Sequence, residues 1–396
     1  MNDLILNIEV QEFINNNLNS DTLEILLKKP YFLNIENKEI VEQVESKKRC
    51  KNKLPTWFKT PKIYYPNKLN IEQTSSEITA EYKSKLIEGN SLIDLTGGFG
   101  VDTYYFSKHF ANVSHCEIDK ELSEIVAYNY KQLNAQNIKT INTDGISYLK
   151  QNNHNYDWIF IDPSRRHQSK GKVYFLKDCL PNVPEHLEIL LQHTNNVLIK
   201  TSPLLDISIG INELKNVKSI HIVAVNNEVK ELLWVLEKNY ENEISIKTIN
   251  IKKNNSGEFS FRLNRETTSK VQYSLPLTYL YEPNVAILKS GAFKSVAQEF
   301  KLFKLHPHSH LYTSETLIDF PGRRFKIKKI LPYNKQQLKN ESINKANITT
   351  RNFHEPVDLI RKKFKIKDGG NLFLFFTTDM HQSLIVMICN KITYLN

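Results

Sequence analysis

Three of the chain's 12 glycines fall within four residues, in Asp94-Leu95-Thr96-Gly97-Gly98-Phe99-Gly100, directly after an apolar β-prone run and before a helix-prone one. No other feature limits the fold so sharply. Glycine lets a backbone turn tightly and approach a ligand, and the first N–H groups of the following helix have no partners within it. Strand, glycine turn and helix in that order make a seat for a nucleotide-like ligand at the carboxyl end of a parallel sheet. A lone glycine pattern is weak evidence, so its surroundings decide.

From residue 91 short β runs alternate with amphipathic helices. Strands are expected at 91–95, 113–118, 138–141, 156–161 and 196–200, with helices such as 120–134 and 185–193 between them. That order predicts a parallel, doubly wound α/β sheet. The ending is different. The run 217–225 is followed by Asn226-Asn227 and then by 231–236. Two strands joined by so short a turn are antiparallel, because a parallel return needs a crossover. The sheet is therefore Rossmann-like with an antiparallel closing hairpin, unlike nicotinamide-binding domains.

Before this domain, Leu4, Ile5, Ile8, Phe13 and Ile14, then Leu23, Ile25, Leu26 and Leu27, recur at helical spacing, which predicts a helical N-terminal region over 1–75. The stretch 54–66 interrupts it with three prolines and mixes Trp57, Phe58, Tyr64 and Tyr65 with Lys59 and Lys62. It reads either as a surface that stacks bases and pairs phosphates or as a strap whose aromatics pack on the next domain. After the domain at 76–240, strands are expected at 244–251 and 258–263 and a helix at 284–302, within a connector over 241–316. Beyond Phe320-Pro321-Gly322 lies a small α+β domain, 317–396, with strands at 324–330, 372–377 and 383–389 and helices at 335–345 and 357–363.

Charge sorts these regions. The chain carries a net charge of +10. Residues 317–396 hold 15 Lys/Arg against 6 Asp/Glu, and 47–68 hold 8 basic residues and no acid, which leaves −7 for the rest. A mildly acidic body with two basic patches is the footprint of a polyanion binder. In a chain this rich in Lys, Asn and Ile, plain solvated surface is the alternative. No apolar run has the length of a membrane span. The start, with Asp3 and Glu9 and no basic region, does not read as a secretory signal, so a cytoplasmic location is expected. Cys50, Cys116, Cys179 and Cys389 are far apart, with no Cys-x-x-Cys, which suits a reducing compartment and argues against a thiolate zinc site. Neither Cys116 nor Cys179 stands where a nucleophile is expected. His306, His308 and His310 alternate around Pro307 with no carboxylate spacing to match, so a loop is expected there and no metal.

The residues with chemistry gather at strand ends. Asp94 closes the first strand, Glu117 the second, and Asp144 follows the third. An acid at the end of the second strand accepts both hydroxyls of a ribose, and one after the third accepts from an adenine amino group. Each acid alone reads equally well as a cap or a loop residue; three at successive strand ends point to a nucleoside. Asp162-Pro163-Ser164-Arg165-Arg166 ends the fourth strand. Its carboxylate is placed to accept from a substrate, and its arginines suit phosphate or pair with local acids. Lys200 ends the fifth strand, Glu231 opens the last, and Lys83 precedes the first. With Asp162 they form a set in which a lysine of lowered pKa takes the proton of a hydroxyl. The alternative is that Lys200 snorkels from a strand end and Glu231 is turn surface.

With Asp94-Leu95-Thr96-Gly97-Gly98-Phe99-Gly100-Val101-Asp102, Ile161-Asp162-Pro163-Ser164-Arg165-Arg166 and Leu198-Ile199-Lys200-Thr201-Ser202-Pro203 assembled, the chain resembles a bacterial family of class I S-adenosylmethionine-dependent methyltransferases carrying a THUMP-like C-terminal domain. Tyr279-Leu280-Tyr281-Glu282-Pro283-Asn284, Lys304-Leu305-His306-Pro307 and Phe320-Pro321-Gly322-Arg323-Arg324-Phe325 match as well, and the resemblance covers nearly the whole chain from about residue 54. It implies a methyltransferase domain at 76–240, a ferredoxin-like connector and a THUMP-like unit. The implied cofactor is S-adenosyl-L-methionine, held by Asp94, Thr96, Gly97, Gly98, Gly100, Glu117 and Asp144, with Thr96 standing where a glycine is often found. THUMP domains bind structured RNA, so the implied substrate is RNA, tRNA or rRNA, touched by Arg165, Arg166, Arg323 and Arg324. Amino-methylating enzymes carry Asp/Asn-Pro-Pro-aromatic where this chain keeps Asp162-Pro163 but continues Ser-Arg-Arg. Lys83, Asp162, Lys200 and Glu231 occupy the places of the Lys-Asp-Lys-Glu tetrad of ribose 2′-O-methyltransferases. A base amine and a ribose 2′-hydroxyl are thus both implied acceptors. The two arginines also motivate an alternative, a catalytically inactive methyltransferase-like protein that binds RNA.

Overall fold

The computed structural model describes residues 1–165, 175–253 and 256–393. The chain divides into two compact units: Met1–Val217 with Leu233–Glu241, and Lys218–Leu232 with Asn242–Asn396.

The first unit opens with six helices: α1 (Ile8–Asn16), α2 (Thr22–Leu27), α3 (Asn37–Lys53), α4 (Pro55–Lys59), α5 (Lys68–Gln73) and α6 (Glu77–Ser84). Their starts are written locally. Asp21 and Ser76 accept the N–H groups of Leu23 and Thr79, and Glu36 with Glu39 forms a capping box on α3. The alternation then runs β1 (Ser91–Asp94), α7 (Val101–Phe106), β2 (Asn112–Glu117), α8 (Lys120–Gln132), β3 (Ile138–Asn142), α9 (Gly145–Gln151) and β4 (Trp158–Ile161). Two short strands follow, β5 (Ser164–Arg165) and β6 (Cys179–Leu180), then α10 (Val183–His193), β7 (Asn196–Thr201), α11 (Ile207–Glu213), β8 (Val217–Val225) and β9 (Glu228–Glu237).

In this unit the strand order is β9-β7-β4-β1-β2-β3, with β9 contributing Leu233–Glu237. β1 runs parallel to β2 and β4, β2 to β3, and β4 to β7. Leu92, Ile93, Ile159, Ile161, Val197, Leu198 and Ile199 are fully buried, as central strands covered on both faces require. β8 and β9 are neighbours joined by Asn226 and Asn227, whose φ values of 51° and 64° are those of a tight hairpin turn matched to strand twist.

The aromatic stretch before β1 is a strap. Leu54, Trp57 and Ile63 are at most 1% exposed and Tyr65 is 2% exposed, and they share one core with Phe99, Val101, Tyr105 and Val126. Rings buried this way contribute on the order of 2–3 kcal/mol each and have no face left for a base. Lys59 and Lys62 stay exposed.

The second unit holds β8, the Glu228–Leu232 portion of β9, β10 (Ser245–Ile251), β11 (Gly257–Arg262) and α12 (Leu263–Thr268), in the order β11-β10-β8-β9. β10 is parallel to β8 and antiparallel to β11. Next come β12 (Tyr279–Pro283), α13 (Val285–Ser290), α14 (Phe293–Glu299), β13 (Phe303–Lys304), β14 (Tyr312–Ser314), β15 (Gly322–Pro332), α15 (Lys335–Asn340), β16 (Asn347–Arg351), α16 (Val357–Phe364), β17 (Leu372–Thr378) and β18 (Leu384–Ile392). The single helix expected over 284–302 is two helices. Gly291, at φ +75°, ends α13 in the left-handed conformation that only glycine adopts freely. One sheet, β13-β14-β12-β15-β18-β17-β16, carries the rest. Phe325, Phe375 and Met387 build one of its cores, and Leu374, Phe376 and Val386 another. No helix among the described residues is long and apolar enough to cross a membrane.

Candidate functional site

The glycine loop follows β1 and is braced from below. Gly97 N–H donates to the Cys116 carbonyl at 2.8 Å and Gly98 N–H to Glu117 Oε2 at 2.8 Å, so the loop is tied to the end of β2. Gly98 and Gly100 have φ of +54° and +78°, and Gly100 is the N-cap of α7. A Cβ on Gly97 would lie 2.1 Å from Nε2 of His115, and one on Gly100 would lie 2.2 Å from the Tyr130 hydroxyl, which donates to the Gly100 carbonyl at 3.0 Å. A Cβ on Gly98 would meet only the Thr96 carbonyl, at 4.0 Å. The loop is therefore packed on its inner side and open on the other.

The three acids have distinct positions. Asp94 is buried, accepting from the Thr96 N–H at 2.9 Å and the Thr103 hydroxyl at 2.7 Å. Burial pushes its pKa up to about 7 against those two donors. Glu117 is half-buried, each oxygen accepting one backbone N–H, from Gly98 and Asp119. A carboxylate oxygen has a second lone pair, so Glu117 keeps acceptor capacity. Asp144 is exposed at the N-cap of α9 and uses Oδ1 to accept from Ser147 N–H.

Asp162 and Lys200 are joined to this loop. Lys200 Nζ donates to Asp162 Oδ2. The Asp162 N–H donates to the Thr96 hydroxyl at 2.7 Å. Thr96, which the sequence shows only as a residue in a glycine's place, links the glycine loop to the Asp162-Pro163 turn. Pro163 is buried, and Ser164–Arg165 pairs antiparallel with Cys179–Leu180. Arg166 lies outside the described residues.

Lys83 is part of a buried polar group. Fully buried on α6, it pairs with Asp102 Oδ1 at 3.2 Å and donates to Ser75 Oγ at 3.1 Å, while Ser75 donates to Asp102 Oδ2 at 2.7 Å. Glu231 is buried, on the segment of β9 that belongs to the second unit. Arg323 is bound by buried Glu282 and Arg324 by Asp319. His306 is buried and bonded to Asn352 and Gln382.

Two expected results follow. Removing one partner of a buried ion pair leaves the other charge uncompensated. Lys83→Met should therefore cost about 3 kcal/mol in urea denaturation, and adding Asp102→Asn should recover part of that loss. A loss below about 1 kcal/mol in the single variant would show that the pair does not hold α6 to α7.

The second concerns His115, which sequence reasoning passed over because it looks like any polar residue in a strand. It is fully buried, and burial lowers its pKa from 6.5 to about 4. The unfolded chain then binds the proton first, so the stabilisation is complete above pH 6.5 and is lost as pH falls toward 4. The stability difference between the parent and His115→Gln should shrink by about 2 kcal/mol between pH 6.5 and 5, at 1.36 kcal/mol per unit. A difference independent of pH would mean that the ring titrates normally.

The arrangement fits a nucleoside: an open glycine loop, an acid with remaining acceptor capacity for ribose hydroxyls and an exposed acid for an amino group. Comparisons with known proteins bear on this. A profile for a ferredoxin-like domain matches residues 279–321, and one for a THUMP domain-like unit matches residues 322–391. The chain is 31% identical to a Porphyromonas gingivalis W83 protein classed as a methyltransferase, whose crystal structure superposes with a TM-score of 0.90 over 99% of both chains. It is also 34% identical over 111 residues to the ribosomal RNA small subunit methyltransferase D of Buchnera aphidicola subsp. Acyrthosiphon pisum (strain APS). That stretch is 27% of this chain and spans little more than half, 58%, of the relative.

Proposed function

Since the chain belongs to the class I S-adenosylmethionine-dependent methyltransferases that carry a THUMP-like C-terminal domain, we propose that it transfers a methyl group to RNA. The observation that carries the acceptor side is the Asp162–Lys200 pair, fastened through Thr96 to the glycine loop. S-adenosyl-L-methionine, when bound, supplies an electrophilic methyl group on sulfur. Glu117 would hold its ribose and Asp144 its adenine, with the loop backbone at Gly97, Gly98 and Gly100 beside them. Asp162 then works at the acceptor. Its carboxylate, oriented by Lys200, takes a hydrogen bond from an exocyclic base amine, or the Asp162–Lys200 pair together takes up the proton of a ribose 2′-hydroxyl. The likeness to a ribosomal RNA methyltransferase and the THUMP-like unit support RNA as the substrate class.

Nucleoside mass spectrometry of RNA from a deletion strain tests the reading. An N-methyl base or a 2′-O-methyl nucleoside should disappear, and its identity names the acceptor. If the purified protein binds S-adenosylmethionine and RNA but transfers no tritiated methyl group to RNA, the inactive RNA-binding reading replaces this one.

A further inference from the structure

A cavity of about 440 Å³ in the second unit is lined by Lys252 and Lys253 after β10, by Asp319, Arg323 and Arg324 around the start of β15, and by Lys391 near the end of β18. Five cations face one carboxylate, and Asp319 is already paired with Arg324 at 3.1 Å. We propose that this cavity is a docking site for the phosphodiester backbone of the RNA, remote in chemistry from the methyl-transfer site and resting on the RNA reading above.

Three observations carry it. The first is charge: with Arg324 paired to Asp319 and Arg323 to Glu282, the described lining keeps an excess of three lysines, Lys252, Lys253 and Lys391, which suits a polyanion. The second is preparation. Glu282, 3% exposed, holds Arg323 through Nε at 2.5 Å and Arg351 at 2.9 Å. A guanidinium fixed in this way has already lost its rotamer freedom, so a phosphate meets a preformed wall. Gly322 belongs to the same wall, where a Cβ would lie 2.1 Å from the Glu282 carbonyl, so the backbone of β15 approaches Glu282 closely there. The third observation sets the ligand class. Phe320, the aromatic lining residue, is buried against Tyr281 and Phe300, with ring centroids 5.3 Å away in each case. Among the described lining residues no ring is offered for a base to stack on, whereas Lys252, Lys253 and Lys391 are exposed. The basic surface continues along β15 through exposed Lys326 and Lys328. Such a site reads backbone rather than sequence.

The test uses the full chain, a fluorescently labelled tRNA transcript and fluorescence anisotropy across a salt series. Lys252→Glu, Lys253→Glu and Lys391→Glu are combined in one variant, because these exposed side chains leave the Glu282 network intact. Affinity should fall at least tenfold, and the slope of log K against log salt should decrease by about 2 to 3, as expected for three lost phosphate contacts. A control reversal at exposed Lys335 and Lys339 on α15 should change affinity less than threefold. Unchanged affinity in the triple variant, or an equal loss in the control, overturns the proposal. The two readings fail separately. A triple variant that methylates RNA with the parent's KM sinks the cavity and leaves the function. A parent that binds RNA through these lysines but transfers no methyl group sinks the function and leaves the cavity.

Discussion

Gly97→Ala should abolish S-adenosylmethionine binding, with affinity falling by more than a hundredfold in titration calorimetry. The new methyl group would sit 2.1 Å from Nε2 of His115, well inside van der Waals contact. His115 cannot retreat. It is fully buried on β2, with its ring edge-on to Tyr130 at 5.7 Å, and the loop's own N–H is tied to the Cys116 carbonyl beside it. Relief has to come from the loop lifting, which breaks the Gly98–Glu117 hydrogen bond and moves both the backbone and the acid expected to hold the cofactor. The stabilisation that a bound ligand gives to the folded state should vanish with it, so a saturating cofactor should no longer raise the melting temperature. Gly291→Ala is the matched control. Its φ is +75°, but nothing lies within 4 Å of the added methyl, so only left-handed strain of about 1–2 kcal/mol applies. Cofactor affinity in Gly97→Ala within threefold of the parent would mean that the loop is not the cofactor's seat.

The second large effect is on chemistry. Asp162→Asn keeps the shape of the side chain but removes the charge that Lys200 faces and the strong acceptor offered to substrate. Single-turnover methyl transfer should drop by about 10² to 10³, within the range for loss of a positioned acid–base group. Cofactor affinity should stay within about threefold, since Asp162 meets the glycine loop through its backbone N–H on Thr96, which the substitution retains. Lys200→Ala separates the two acceptors. If a ribose hydroxyl is methylated, the proton must go to this pair and the loss should equal that of Asp162→Asn. If a base amine is methylated, Lys200 only orients the carboxylate, and the loss should stay near tenfold. Full activity in Asp162→Asn would remove the acceptor-side role from this turn.

Much of the site was legible because it is local. The glycine loop, Asp94 and the helix after it follow one another along the chain, and Glu117 and Asp144 sit at strand ends that the alternation marks. The Asn226-Asn227 turn is short enough to dictate an antiparallel return by itself. Lys83 was different. A lysine shortly before the first strand matches a tetrad position by order, but its burial on α6, with Asp102 and Ser75 among its partners, is set by how that helix packs on α7. The aromatic strap shows the same limit. Its composition suits either bases or a core, and burial of Trp57, Tyr64 and Tyr65 is a property of the neighbours that cover them.

The sequence by itself therefore determined the alternation of β1, β2, β3, β4 and β7 with helices, the closing hairpin and the run of acids at strand ends. These depend on periodicity, turn length and backbone freedom, which are properties of adjacent residues. Only the tertiary structure decided that His115 lies under Gly97, that Thr96 joins Asp162 to the loop, and that Glu282 holds Arg323 and Arg351 beside a basic cavity. Each of those contacts joins residues about 20 to 70 positions apart. Chain order carries no distance between such residues until packing of the sheets brings them together.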